Sequence, residues 1–299
     1  MKPDQRECTL DEHPLHGSTG RPVALITGAS GGIGSAMAEV AAERGFDLLL
    51  VSLPNEGLTD IGQFIAKQTG VLTAMLEVDL STSVGVEKVI SEIQRHDISI
   101  QLLVNVAGYG IVREVNDTSI EDQLGMIRVN AEAVVHLTGA LLPSMIQRGS
   151  GLILNVGSIV SYSPMPGCAV YAGTKAFILN WSESLAHEVA KHGVKVTVLC
   201  PGSTASNFYD RAGTSFPDYP AWYVRAGGLL DSRSVALAGM NALEAGQSVV
   251  MPGVINKATN FVSRFFPRRV LANSSDRLNK KLFKPRPFGN RSCVSDTDI

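Results

Sequence analysis

The strongest constraint on this chain is an alternation of two kinds of segment between residues 23 and 251. Seven short runs, 23–27, 47–52, 73–78, 101–106, 151–156, 195–200 and 248–251, are mostly apolar at successive positions. A strand with one wet face alternates apolar and polar, whereas an unbroken apolar run needs cover on both faces. Between these runs lie helical patterns at 33–44, 58–69, 84–96, 120–148, 168–192 and 232–245. Strand and helix in strict succession produce parallel strands joined by right-handed crossovers. The predicted fold class is therefore α/β, a doubly wound, Rossmann-like parallel sheet of seven strands in one domain over 21–253. Residues 1–20 are polar and read as a flexible N-terminal extension, 203–230 interrupts the alternation, and 254–299 forms a basic C-terminal tail.

Composition excludes several classes. Hydrophobic residues make up 44% and charged residues 18%, too apolar for a disordered chain. A net charge of −2 gives no general attraction to nucleic acid, so none is expected as a partner. Residues 1–20 lack the apolar core of a secretory signal, and no run of 18 apolar residues suggests a membrane helix. The four cysteines, Cys8, Cys168, Cys200 and Cys293, are far apart and match no zinc or disulfide spacing. Reduced thiols, a cytoplasmic location and no metal are the expectation.

The first predicted strand runs directly into Gly28-Ala29-Ser30-Gly31-Gly32-Ile33-Gly34 and then into a helix. Glycines let a backbone turn sharply and approach a pyrophosphate, and the helix N-terminus offers free N–H groups and a positive dipole end. Glycine clusters also serve plain tight turns. The position between first strand and first helix is what dinucleotide binding requires.

The spacing Thr27, Gly28, Gly32, Gly34 resembles the T-G-x-x-x-G-x-G turn of the short-chain dehydrogenase/reductase family. Further stretches carry the resemblance. Asp79-Leu80 follows the third strand, where the family's Asp bonds the adenine; helix capping is the other use of such an Asp. Asn105-Val106-Ala107-Gly108 is similar to the family's N-N-A-G, with Val106 in place of the second Asn. Asn130 falls inside a long helix, where the family uses an Asn to distort the helix and hold a water in a proton relay. Ser158 precedes Tyr171-Ala172-Gly173-Thr174-Lys175 by thirteen residues, the family's usual spacing. Tyr171 and Lys175 are four apart and share a helix face, and no other Tyr here has a Lys four residues on. Pro201-Gly202 with Ser206 resembles P-G-x-V-x-T, whose last residue contacts the nicotinamide amide. The resemblance spans about three quarters of the chain and implies a nicotinamide cofactor, carbonyl–alcohol chemistry and a homo-oligomer, dimer or tetramer.

The resemblance assigns Tyr171 as the proton donor and acceptor. A free phenol titrates near 10, too high for efficient exchange at neutrality, and a neighbouring Lys175 ammonium, with the positive nicotinamide of the oxidised cofactor, is expected to lower it. Lys175 would also hold the nicotinamide ribose, Ser158 the substrate oxygen, and Asn130 a water chain to solvent. An acid at the end of the second strand favours NAD and a base NADP. Residues 51–55 read Val-Ser-Leu-Pro-Asn, with neither charge. The missing acid, together with a hydroxyl on Ser52, leans toward NADP over NAD. Six of the 18 aromatic residues fall within 208–223, in the family's substrate lid, and Trp222 among them points to a bulky apolar substrate. The stretch 264–291 holds nine basic residues and only Asp276 as acid, with Phe261, Val262, Phe265 and Phe266 interleaved at its start. Such a tail suits weak contact with an anionic membrane surface. A catalytically silent nucleotide sensor is the competing reading, which the Ser158, Tyr171, Lys175 set disfavours. An epimerase or dehydratase of the extended branch would carry a different glycine spacing and a larger C-terminal domain.

Overall fold

A computed structural model describes residues 15, 20–205, 208–214, 217, 219, 221–225 and 227–282. Its centre is one parallel sheet of seven strands: β1 (Val23–Thr27), β2 (Asp47–Ser52), β3 (Thr73–Glu77), β4 (Ile100–Asn105), β5 (Gly151–Val156), β6 (Val194–Leu199) and β7 (Val249–Val250). Their spatial order is β3-β2-β1-β4-β5-β6-β7. All five residues of β1 and all six of β2 are buried, which explains their unbroken apolar sequences. Leu25, Leu49, Leu103 and Ile153 face one layer, and Ala24, Ile26, Leu50 and Leu154 face the other.

Helices α1 (Gly32–Glu43), α2 (Leu58–Thr69) and α9 (Ser232–Glu244) cover one face. Small residues let α1 lie close: Ala36, Ala38, Ala41 and Ala42 are buried there, while Gly239 of α9 lies against Leu199, Leu154 and Met37. The other face is covered by α3 (Ser83–Arg95), α5 (Ala133–Arg148) and α6 (Ala169–Val189). Helix α4 (Ile120–Ile127) leads into α5 through one π-helical turn, Arg128–Glu132. The joined stretch Ile120–Arg148 is long and apolar enough, by length and composition alone, to cross a membrane. In this fold α5 instead packs against β4 and β5.

The predicted interruption at 203–230 contains two short helices, α7 (Phe208–Arg211) and α8 (Ala221–Arg225). Its ends are tied together: Thr204 bridges Leu230, Ala205 N donates to Leu230 O (2.9 Å) and Leu230 N to Ser203 O (3.0 Å). Beyond β7 the chain forms two further helices, α10 (Val254–Ser263) and α11 (Arg268–Leu282), which the sequence reading left as tail. Of the expected N-terminal extension the structure describes Leu15 and Gly20, and Leu15 is buried in the layer on the α3, α5 and α6 side.

Candidate active site

Strand order reverses between β1 and β4, and ligands of open α/β sheets bind at such a switch point, outside the carboxyl ends of the strands. Both strands end there in predicted site residues. Thr27 Oγ1 accepts hydrogen bonds from Val106 N and Ala107 N, each 3.1 Å, and so ties the glycine turn to the end of β4. Gly28 has φ +68°, and a Cβ there would sit 2.9 Å from the Ala107 backbone. A Cβ on Gly34 would collide with the Gly28 carbonyl oxygen. Gly32 also has positive φ, at 56°. Gly31 is different: it is extended, and a Cβ there would meet nothing within 4 Å. The turn is thus tight on its protein side and open at the α1 N-terminus, as a pyrophosphate cradle requires.

Two of the hydroxyls expected to meet the cofactor already have protein acceptors. Ser30 Oγ donates to Glu56 Oε2 (2.8 Å), and the buried Ser52 Oγ donates to Leu53 O (3.0 Å). Glu56 was missed because it lies four residues past the strand end and only the folded loop brings it back to the turn. Asp79 is exposed; its Oδ1 accepts from Ser81 N (2.8 Å), while Thr82 is the N-cap of α3. Leu80 is buried in the core. Asn105 turns its amide into the sheet, donating to Asn155 Oδ1 (2.8 Å) and Thr138 Oγ1 (3.4 Å). Asn155 passes the chain on to Ser182 Oγ (3.0 Å).

Ser158 stands just past β5 and caps a 3-10 turn, its Oγ accepting from Val160 N (3.3 Å). Tyr171 and Lys175 lie in the first two turns of α6. The Ser158 hydroxyl lies beside the Tyr171 phenol. The Lys175 ammonium is buried, donates to Val156 O (2.8 Å) and lies 5.8 Å from the centre of the Tyr171 ring. Gly108 faces both partners of this corner: a Cβ there would be 2.8 Å from Asn130 Oδ1 and 3.4 Å from Lys175 Nζ. The π turn places Asn130 so that Oδ1 accepts from Tyr109 N (3.0 Å) and Nδ2 donates to Tyr109 O (2.8 Å) and Thr174 Oγ1 (3.1 Å). An inserted residue in a helix commonly marks a functional site. Asn130 therefore clamps the β4 loop to α6.

The expected lowering of the phenol by Lys175 is not what the protein groups give. Burial is the dominant effect and pushes Tyr171 above the ordinary tyrosine value, with the neighbouring Ser158 hydroxyl pulling the other way. Burial also pushes Lys175 down to about 8. Over the phenol, Phe208 of α7 packs with ring centroids 5.4 Å apart. Gly110 makes room for that pair, since a Cβ there would lie 2.9 Å from Tyr171 and 3.1 Å from Phe208. In the sequence it is one glycine in a loop. Pro201 O accepts from Ile159 N (3.0 Å), and Gly202 is pressed against Asn256. Ser206 lies outside the described residues, as does the side chain of Trp222, whose backbone belongs to α8.

A switch-point crevice with a glycine cradle and a joined serine, tyrosine and lysine defines an oxidoreductase of the doubly wound α/β class. Residues 22–214 match the family described as short chain dehydrogenase; the chain belongs to that family. Sulfoacetaldehyde reductase 2 of Chromohalobacter salexigens is 34% identical over 188 residues, 62% of this chain and 74% of that one. A short-chain dehydrogenase from Sphingobium yanoikuyae, solved with NADPH, has TM-score 0.71 and 28% identity, covering 83% of this chain and 97% of its own. The bulky-bulky ketone specific alcohol dehydrogenase of Comamonas testosteroni has TM-score 0.68 and 26% identity, covering 83% and 95%.

Proposed function

We propose that the protein interconverts a carbonyl and an alcohol on a bulky apolar substrate, with NADP, or alternatively NAD, as cofactor and Tyr171 as the proton donor and acceptor. The observation that carries this is the gathering of Ser158, Tyr171 and the buried Lys175 ammonium in one corner. The cradle fits a dinucleotide on its own geometry, because Gly31 leaves open backbone where a side chain would stand. A bound nicotinamide supplies or receives the hydride. Ser158 holds the substrate oxygen as negative charge develops on it. A phenol raised by burial keeps its proton at neutral pH, so Tyr171 is charged with the proton that reduction consumes. Lys175 holds the ribose and favours the phenolate once that proton has left. Asn130 positions the β4 loop and, through the π turn, supports a water path that reprotonates the corner.

The aromatic wall of Phe208 and the Tyr209, Tyr219 pair supports an apolar substrate, as does the bulky ketone named for the Comamonas testosteroni enzyme. Outward-facing Leu124, Ile127 and Phe177 on α4 and α6 support a homo-oligomer through those helices. Two free, buried thiols, Cys168 and Cys200, suit the cytoplasm, and the basic tail suits weak membrane contact. The decisive experiment compares Tyr171→Phe with the parent chain. Cofactor fluorescence titration should be unchanged while turnover on a ketone panel falls by about three orders of magnitude or more. Unchanged turnover would remove the phenol from the chemistry. No turnover by the parent chain, despite tight cofactor binding, would favour the silent sensor.

A further inference from the structure

We infer that the corner where α10 meets α11 is a docking wedge for an anionic lipid surface. Phe261, Val262, Phe265 and Phe266 gather there and are 60%, 52%, 73% and 50% exposed. Phe261 and Phe265 meet edge to face, with ring centroids 5.4 Å apart, and Val262 and Phe266 are their exposed chain neighbours. Single apolar residues are ordinary on a soluble surface, whereas a contiguous aromatic block marks contact with another phase or molecule. The surrounding charge selects which. Residues 254–282 carry seven lysines and arginines and one acid, Asp276. Arg264, Arg268 and Arg269 lie within three positions of these residues in the sequence. A protein partner would have to match these cations with acids placed one by one. An anionic lipid surface accepts any ring of cations around a shallow apolar insertion.

The wedge is fixed to the body rather than trailing from it. At its start, Asn256 is buried and its Nδ2 donates to Pro252 O (2.9 Å). Along α11, Ser275 Oγ donates to Pro164 O (3.0 Å) and Asn279 Nδ2 to Pro166 O (2.7 Å). Pro164 and Pro166 belong to the loop that connects Ser158 to Tyr171. Burial pushes the phenol of Tyr162, on the turn after Ser158, above its usual pKa, and Arg264 lies near enough to pull it partly back. A bilayer seated on the wedge therefore lies on the side of the protein that carries the loop between the proposed catalytic residues. An apolar carbonyl compound dissolved in that bilayer would have a short path to them. This last step rests on the apolar-substrate reading; the docking itself does not.

The test is sedimentation of the full chain with vesicles of phosphatidylcholine alone or with about 30% phosphatidylglycerol, at low and high salt. The expected result is at least about tenfold stronger partitioning onto the anionic vesicles, weakened by salt. At about fivefold per basic residue, Arg268→Glu/Arg269→Glu should lower it by about 25-fold or more. Phe265→Ser/Phe266→Ser should lower it on the same vesicles, and Phe265→Ser alone gives the same direction if the double exchange unfolds the chain. Equal partitioning onto both vesicle types, or variants that match the parent, overturns the proposal. So does gel filtration without lipid in which the Phe variants split an oligomer that the parent forms, since the block is then a subunit contact. Fluorescence titration with NADPH should be unaltered in every variant. A chain that docks but reduces no carbonyl would sink the oxidoreductase reading and leave the wedge standing.

Discussion

Two glycines of the phosphate turn, three residues apart, should respond oppositely to the same added methyl group. At Gly34 a Cβ would overlap the Gly28 carbonyl oxygen, which cannot move away because the Gly28 backbone is itself pressed on Ala107. Overpacking against fixed backbone costs about 3 kcal/mol. Ala in place of Gly inside α1 returns about 1 kcal/mol of helix propensity. Gly34→Ala should therefore lose about 2 kcal/mol, a fall in Tm of about 4–8 °C for a chain of this size. At Gly31 the backbone is extended, with φ 171°, and a Cβ meets nothing. Gly31→Ala should leave Tm unchanged or raise it slightly, because the unfolded chain loses freedom. Its methyl group would nevertheless stand at the open N-terminus of α1, where a pyrophosphate must approach. Cofactor affinity should fall by about tenfold or more, since a lost contact of about 1.4 kcal/mol has that effect. Thermal unfolding and fluorescence titration with NADH and NADPH separate the two effects. A Gly31→Ala chain that binds both nucleotides like its parent would refute the cradle. A Gly34→Ala chain as stable as its parent would refute the close-packing argument.

Three further outcomes test other parts of the site. Lys175 titrates near 8 when folded and at 10.5 when unfolded, so the unfolded chain holds a proton that the folded chain releases, and stability should rise with pH across that window. Relative to Lys175→Met, the parent should gain about 1 kcal/mol between about pH 7 and about pH 9 in denaturant titrations; a pH-independent difference would contradict the burial of the charge. Glu56→Gln removes a carboxylate held on Ser30, and the affinity ratio of NADPH to NADH should rise about fivefold, from about 1 kcal/mol of relieved repulsion; an unaltered ratio would place the 2′-phosphate away from this loop. Trp222→Ala should raise KM for large apolar ketones and leave small ones untouched, and identical kinetics across a size series would remove the lid from substrate recognition.

What the sequence made legible, and what it hid, follows from the range of the interactions involved. Strands covered on both faces announce themselves residue by residue, so β1 and β2 are found at 23–27 and 47–52 with the bounds that periodicity predicts. The Tyr171 and Lys175 pair is legible for the same reason, because helix geometry fixes residues four apart on one face. Ser158 is thirteen positions away, and only the resemblance to a family connected it to them. Contacts made by a loop folding back were invisible: the Glu56 carboxylate on Ser30, and Asn130 clamping the Tyr109 backbone, depend on where whole segments land. Electrostatics was the least legible part. The ammonium and the cofactor's positive ring are together expected to lower the phenol, whereas among the protein groups alone the ammonium is engaged with the Val156 carbonyl and burial acts on both groups at once. Helix α10 shows the complementary error. Phe261 at its end meets Phe265 of the turn that follows it, a contact that composition alone does not show. A pattern that buries nothing against its own domain reads as a tail until the fold shows that both of its ends are fastened.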